Sequence, residues 1–236
     1  MSEDIKKDQD FLSQVPNWEG DYKNNDEKII TFEKKDWKEA PAEFSDHQLK
    51  IFGFEVMDDW ETPYMEVLAE IASMKGGTVL ELGYGMGISA KFIQQHPIKK
   101  HIIIEANKEV AHLARKFASE SKIETIVLEG FWEEKINEVS DNSIDGILFD
   151  TYPLEERELY QNHFNFFPYA FAKLKQGGIF TYYSDEVAGL SDVHIRTLEQ
   201  SGFKKENMSG KVVSVKPPSD CEYWKTDTIF APIVIK

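Results

Sequence analysis

The sequence predicts an α/β fold: a mostly parallel sheet of seven strands flanked by helices, with an N-terminal lid segment. Three observations lead there. Strand-type and helix-type stretches alternate from Thr78 onward, the pattern of a doubly wound parallel sheet. A strand-type stretch, Thr78–Leu82, begins apolar, reaches Glu81 and leads into glycines at 83, 85 and 87 and then into the amphipathic stretch Ile88–Gln95. Finally, Glu81, Glu105 and Asp150 close three of the candidate strands, and the carboxyl ends of strands are where an open α/β sheet receives its ligand.

In chain order, residues 1–36 are rich in Lys, Asp, Glu and Asn and read as a polar arm, with a short strand or helix near Ile29–Phe32. The folded domain is expected over 37–236. Trp37, Phe44, Leu49, Ile51 and Phe54 place large apolar groups among charged ones and predict the lid. Pro63 can start a helix running to about Ser73, with Thr62 as its N-cap and Glu61 at or just before its start. Strands are expected at Thr78–Leu82, His101–Glu105, Thr125–Leu128, Ser143–Asp150 and Ile179–Tyr183. Helices are expected at Ile88–Gln95, Lys108–Ser119 and roughly Glu156–Leu174, the last ended by Gln176-Gly177-Gly178. Val193–Gln200 reads as another helix, and Lys211–Val215 with Thr226–Ile235 as a closing strand pair.

The totals bound the function. The 236 residues carry a formal net charge of −15, which disfavours nucleic acid and suits a cationic small substrate, although an acidic surface also serves solubility alone. One cysteine, Cys221, excludes an intramolecular disulfide framework and fits a reducing, cytoplasmic setting. No apolar run approaches membrane-spanning length. The expected partners are therefore small molecules, without nucleic acid or membrane, for a monomer or homodimer.

Strand, glycine turn and helix start together hold nucleotide-like ligands, because glycine lets the backbone approach closely and the helix start offers N–H groups. A dinucleotide fingerprint would put its third glycine at 88, where Ile88 stands. Glu81 followed by Gly83, Gly85 and Gly87 instead resembles motif I of the class I S-adenosylmethionine (SAM) methyltransferases, so the sheet is expected to be Rossmann-like and SAM the cofactor. Glu105, about two dozen residues after the turn, is placed to accept hydrogen bonds from ribose hydroxyls. Phe131 and Trp132 can bracket an adenine or serve as plain core aromatics. Asp150 ends an uncharged run, Gly146–Phe149, and a charge there is costly unless it has a task.

Longer stretches carry a closer likeness. Trp60-Glu61-Thr62-Pro63-Tyr64-Met65, Glu81-Leu82-Gly83-Tyr84-Gly85-Met86 and Gly146–Leu154 resemble the guanidinoacetate N-methyltransferase family, as do His163–Phe166, Gly177-Gly178 with Thr181-Tyr182, and Pro217–Cys221. The resemblance implies cofactor contacts from Trp37, Met57, Met65, Glu81, Gly83, Gly85, Met86, Glu105, Asn107, Phe131 and Trp132. It implies that Glu61 and Asp150 grip the guanidino group of the acceptor, and these two are the expected catalytic residues; the chemistry needs no metal, and no Cys/His cluster suggests one. Phe131 stands where the family usually has leucine.

The chemistry asks for such a pair independently. A guanidinium is planar, stays protonated and has no good lone pair. Two carboxylates can bind its N–H fork and take a proton as the C–N bond forms. One departure affects the far end of the acceptor. Where the family has a longer loop that holds a substrate carboxylate, this chain has the shorter, acidic Tyr183–Leu190. Ser184 and Asp185 are the residues expected to meet the acceptor there. The expected function is SAM-dependent N-methylation of a small guanidino compound, guanidinoacetate or a guanidine with a different tail. An arginine-type guanidino methyltransferase and a non-catalytic SAM-binding protein are the alternatives, with an NAD dehydrogenase a distant third.

Overall fold

The computed structural model describes residues 32–154, 161–221 and 223–236. The polar arm up to residue 31 lies outside the described residues, as do positions 155–160 of the helix expected from Glu156. Among the described residues no helix is long and apolar enough to cross a membrane.

A short helix, α1 (Lys34–Glu39), leads into a three-stranded antiparallel sheet formed by β1 (Ala42–Phe44), β2 (Gln48–Ile51) and β3 (Phe54–Asp58). This is the lid region, and its strands were not expected from the sequence. Ile51 pairs with Phe54 across a two-residue turn in which Phe52 (φ 54°) and Gly53 (φ 79°) are both left-handed. That is the conformation hairpin turns favour, but a bulky residue at the first position is strained. The Phe52 ring lies parallel to Phe32, 5.2 Å between centroids, and this contact compensates. The alternation is regular enough that Leu49, Ile51 and Met57 all point into the core.

Helix α2 (Thr62–Ser73) follows a 3-10 turn, Asp59–Glu61. The expected cap is corrected here. Glu61, not Thr62, occupies the N-cap position, and it makes no side-chain capping bond. The Thr62 hydroxyl donates instead to the Asp59 carbonyl, 2.6 Å. The preceding 3-10 turn has already begun the coil, so Thr62 falls inside it. The Glu61 carboxylate is thereby left for other work.

The large sheet contains β4 (Gly77–Leu82), β5 (Ile98–Glu105), β6 (Glu124–Glu129), β7 (Ile144–Phe149), β8 (Leu174–Tyr182), β9 (Met208–Ser214) and β10 (Thr228–Ile235). Their order is β6-β5-β4-β7-β8-β10-β9, and only β10 runs against the rest. Helices α3 (Ile88–Ile93), α4 (Lys108–Glu120), α5 (Trp132–Lys135), α6 (Phe167–Lys173) and α7 (Asp192–Gln200) flank it. Successive residues of each strand serve opposite faces. Val79, Leu148 and Ile179 pack with α2, while Leu80, Ile147, Phe149 and Phe180 pack with Phe167 and Ala170 of α6 and Leu198 of α7. Both faces are covered, which is why these strands read as nearly continuous apolar runs.

The expected helix end at Gln176–Gly178 is also corrected. Helix α6 stops at Lys173, and Leu174 already pairs with Ile144. The last helical carbonyls are met by the turn that precedes β7, with the Asn142 N–H donating to Ala172 and the Ser143 N–H to Lys173, both 3.0 Å. Gln176–Gly178 forms an irregularity within β8 before pairing resumes at Ile179 with Gly146.

Candidate functional site

The chain passes from β4 to β5 on one side and to β7 on the other, so the strand order reverses beside β4. At that reversal the carboxyl ends of the strands form the floor of a cavity of about 510 Å³. Gly130, Glu105, Gly83, Asp150 and Tyr183 follow or close β6, β5, β4, β7 and β8, and all five line it. Backbone bonds lock this row together. The Gly83 N–H donates to Ile104 O, Gly130 to Glu105 O, Asp150 to Leu82 O and Tyr183 to Phe149 O, at 2.8–3.0 Å. Gly83 is required here, because a Cβ on it would sit 1.8 Å from the Asp150 carbonyl and its φ is +86°.

One half of the cavity suits a nucleoside. Glu105 accepts hydrogen bonds from the backbone N–H groups of Tyr84 and Asn107, each 2.8 Å, on its two oxygens. An ionised carboxylate has about four acceptor sites, so capacity for ribose hydroxyls remains. Burial, partly offset by these backbone donors, pushes the Glu105 carboxyl up. Leu49, Ile51, Met57 and Phe131 supply apolar wall. Trp132 also lines the cavity, but its ring meets Phe149, Phe166 and Tyr169 edge-on at 5.3–6.2 Å, so it belongs as much to the core as to the wall.

Helix α1 closes this half from above. Trp37 stacks on Tyr152, 5.1 Å apart and 10° from parallel. Lys34 pairs with Glu133 at 2.9 Å and Lys38 with Glu134 at 2.7 Å, and both ammoniums stand over the Phe131 ring. Asn107 fastens the helix. Its amide donates to Trp37 O (3.0 Å) and Ala40 O (2.9 Å), while its oxygen accepts from the N–H groups of Glu109 and Val110 and so caps α4. Phe32 adds a backbone bond to Leu154 O, 2.8 Å.

The other half is lined by Glu55, Glu61, Asp150, Tyr152, Tyr183, Asp185 and Tyr223. Tyr223 donates its hydroxyl to Glu61. Burial first, and then the Asp150 charge, push the Glu61 carboxyl well up. Asp150 is pushed up to about 7 by burial and by Glu81. Asp185 is pushed up to about 8 by burial and by Asp150 and Glu186. Glu61, Asp150 and Asp185, which share this end of the cavity with Glu55, are each harder to ionise than a free carboxyl group, an arrangement suited to receiving positive charge.

Of the residues expected to touch the cofactor, Trp37, Met57, Gly83, Gly85, Glu105, Phe131 and Trp132 line the cavity. Met65, Glu81, Met86 and Asn107 do not. Met65 is fully buried in the core. Glu81 is fully buried behind the glycine turn, where Ser89 donates to it and His101 Nε2 lies 2.9 Å away. The Met86 N–H points at the Met57 sulfur, 3.3 Å, and Asn107 acts through the lid. Of the residues expected at the acceptor, Glu61, Asp150 and Asp185 line the cavity, whereas Ser184 turns away and donates its hydroxyl to Phe230 O at 2.6 Å. Sequence reasoning missed Tyr152, Tyr183 and Tyr223 as walls. Tyr152 and Tyr183 each lie within two residues of a candidate acid, which was the available signal. Tyr223 had none beyond being aromatic in a polar loop.

The family model for guanidinoacetate N-methyltransferase matches residues 31–236. The chain belongs to this family. Its similarity extends to protein arginine N-methyltransferase 2 of Kluyveromyces lactis, 33% identical over 136 residues, and of Saccharomyces cerevisiae, 31% identical over 137 residues. Each alignment covers 55% of this chain and 32% of the relative, so the chain spans about a third of the length of these curated relatives. Among solved structures, a spermidine synthase in complex with the transition-state analogue AdoDATO superposes with a TM-score of 0.59 at 16% identity, over 83% of this chain and 72% of the other. Spermidine synthase from Thermotoga maritima superposes equally well at 15% identity, over 92% and 82%. At that identity the likeness is one of fold.

Proposed function

We propose that this guanidinoacetate N-methyltransferase family member transfers a methyl group from SAM to a nitrogen of a small guanidino compound, leaving S-adenosylhomocysteine. The observation that carries this reading is the meeting of Glu61 and Asp150 in the same cavity as Glu105 and the Gly83–Gly85 turn. The residues present fit the cofactor. Glu105 would accept from the ribose, Phe131, Met57 and Ile51 would enclose the base, and the turn would meet the amino-acid end. When bound, SAM supplies a methyl carbon on a positively charged sulfur, an already activated donor.

The chain's own residues do the rest. Glu61, steadied by Tyr223, and Asp150 hold the N–H fork of the guanidinium and fix one nitrogen toward the donor. As that nitrogen gains carbon it loses a proton, which Asp150 accepts in its ionised form, so the methylated product keeps its guanidinium charge. Helix α1, stacked through Trp37 on Tyr152, excludes water and favours a small acceptor. A second reading, an arginine side chain of a protein, draws on the descriptions of the fungal relatives.

The test is incubation with SAM and a panel of small guanidines and arginine peptides, with product mass as the readout. A methylated small guanidine is expected, together with a rise in thermal midpoint on adding SAM. Asp150→Asn should lower kcat by about 100-fold or more while disturbing SAM affinity much less. Methylation of arginine peptides alone would replace the first reading with the second.

A further inference from the structure

We infer that Asp185 selects for an acceptor with a second positive group, so that the preferred substrate is a small guanidine carrying a cationic tail rather than a carboxylate. This rests on the guanidino-methyltransferase reading above and names the substrate class of that same site.

The loop after β8 decides what the far end of the acceptor meets. Asp185 lines the cavity, held there in the left-handed region with φ 57°, a conformation Asp tolerates better than most residues. It stands close to the guanidino-binding pair, because the Tyr183 N–H is bonded to the Phe149 carbonyl, immediately before Asp150. Among the described residues no hydrogen bond or ion pair engages its carboxyl group.

Three donors of this loop are already spent within the fold. The Ser184 N–H donates to the Tyr64 hydroxyl (3.3 Å), the Ser184 hydroxyl to Phe230 O (2.6 Å), and the Glu186 N–H to Ser184 Oγ (3.2 Å). Glu186 itself turns inward, accepting from the Ser191 N–H at 3.0 Å. Among the described residues lining the cavity, Lys34 is the one with a cationic side chain, and it is engaged with Glu133 in the nucleoside half. Among the described residues, an acceptor carboxylate would therefore face Asp185 and Asp150 with no countercharge, and either acid would repel it once ionised. An ammonium or second guanidinium would instead supply the charge this end lacks. The raised position of the Asp185 carboxyl, caused by burial and by Asp150 and Glu186, is what an approaching cation reverses, since it favours the ionised form.

The experiment compares guanidinoacetate with a guanidine bearing a primary amine on a short alkyl tether, and with a blocked arginine peptide. Turnover and calorimetric binding are both measured on the full chain with SAM or S-adenosylhomocysteine. The expected result is a kcat/KM for the amine-tailed guanidine at least about 10-fold above either competitor, the scale of one charge-assisted contact. Asp185→Asn should reduce that advantage chiefly through KM, with kcat largely kept. A second variant, Asp185→Ser, guards against a fault particular to asparagine. The wild-type ranking itself needs no variant to fold. A preference for guanidinoacetate or the peptide, or an equal loss on all substrates in both variants, overturns the inference and leaves methyl transfer standing. Tight binding of the amine-tailed guanidine without methylation does the reverse.

Discussion

Asn107 offers the sharpest test of how the cavity is closed. Its side chain makes four hydrogen bonds, two that cap α4 and two that hold the Trp37 and Ala40 carbonyls of the lid. Asn107→Ala removes all four. The lost cap costs about 1 kcal/mol and each lost lid bond about another 1 kcal/mol, so about 3 kcal/mol in all. In a domain of this size that lowers the thermal midpoint by roughly 6–12 °C. Asn107→Asp separates the two roles, because a carboxylate still caps the helix but cannot donate to carbonyls. Its retained cap is offset by burying a charge against the Trp37 and Ala40 carbonyls, so it should be no more stable than Ala and should still release the lid. Thermal unfolding reads the first effect, and the rate of tryptic cleavage after Lys38 reads the second. SAM should bind more weakly to both variants, since Trp37 no longer roofs the cavity. A lid as protected in Asn107→Asp as in the wild type would refute the clasp.

Other expectations follow from the same geometry. On the proposed reaction Asp150 must be ionised to take a proton, and its carboxyl is pushed up to about 7, so kcat/KM should fall as pH drops through that value and level off above it; a flat profile from pH 5 to 9 would remove Asp150 as the acceptor. Glu105→Ala should weaken SAM by about 1–3 kcal/mol, measured by calorimetry, as a charged acceptor is lost. Asp185 binds its proton more tightly folded than unfolded, so its ionisation costs stability as pH rises from about 4 to about 8. Asp185→Asn should therefore match the wild type in denaturant unfolding below about pH 4 and exceed it by roughly 2 kcal/mol at pH 9, a figure set below the full linkage value because water enters the cavity.

Much of this was legible in the chain, for identifiable reasons. The strands of the large sheet are buried on both faces, so Ile102–Ile104 and Ile147–Phe149 appear as apolar runs, the mark of a strand covered on both sides. The glycine turn and Asp150 stand out because each is expensive without a purpose. The small sheet was not legible: its strands are three to five residues long, and its hairpin turns on Phe52-Gly53 rather than on a recognised turn pair. The α6 boundary was missed because Gln176-Gly177-Gly178 resembles a helix cap, whereas the carbonyls it would serve are met by Asn142 and Ser143. At the site, sequence singled out Glu61, Asp150 and Asp185, which all line the cavity, but it did not tell which way every named side chain faces. Glu81 and Ser184 point inward, and only folded contacts with His101 and Phe230 decide that.

The crowding of Glu61, Asp150 and Asp185 at one end also bears on turnover. On the proposed reaction the donor arrives with a positive sulfur and leaves as a neutral thioether, while the shape of the rest is unchanged. Two unit charges about 6 Å apart, at an effective dielectric between about 20 and 80, attract by roughly 1–3 kcal/mol, so a nearby carboxylate would tell the two forms apart on that scale. On that reaction the same acids would favour the fresh donor over the spent cofactor by that margin. Inhibition by S-adenosylhomocysteine should accordingly be mild in the wild type and deepen when Asp150 or Asp185 is neutralised, making these side chains a means of release as well as of capture.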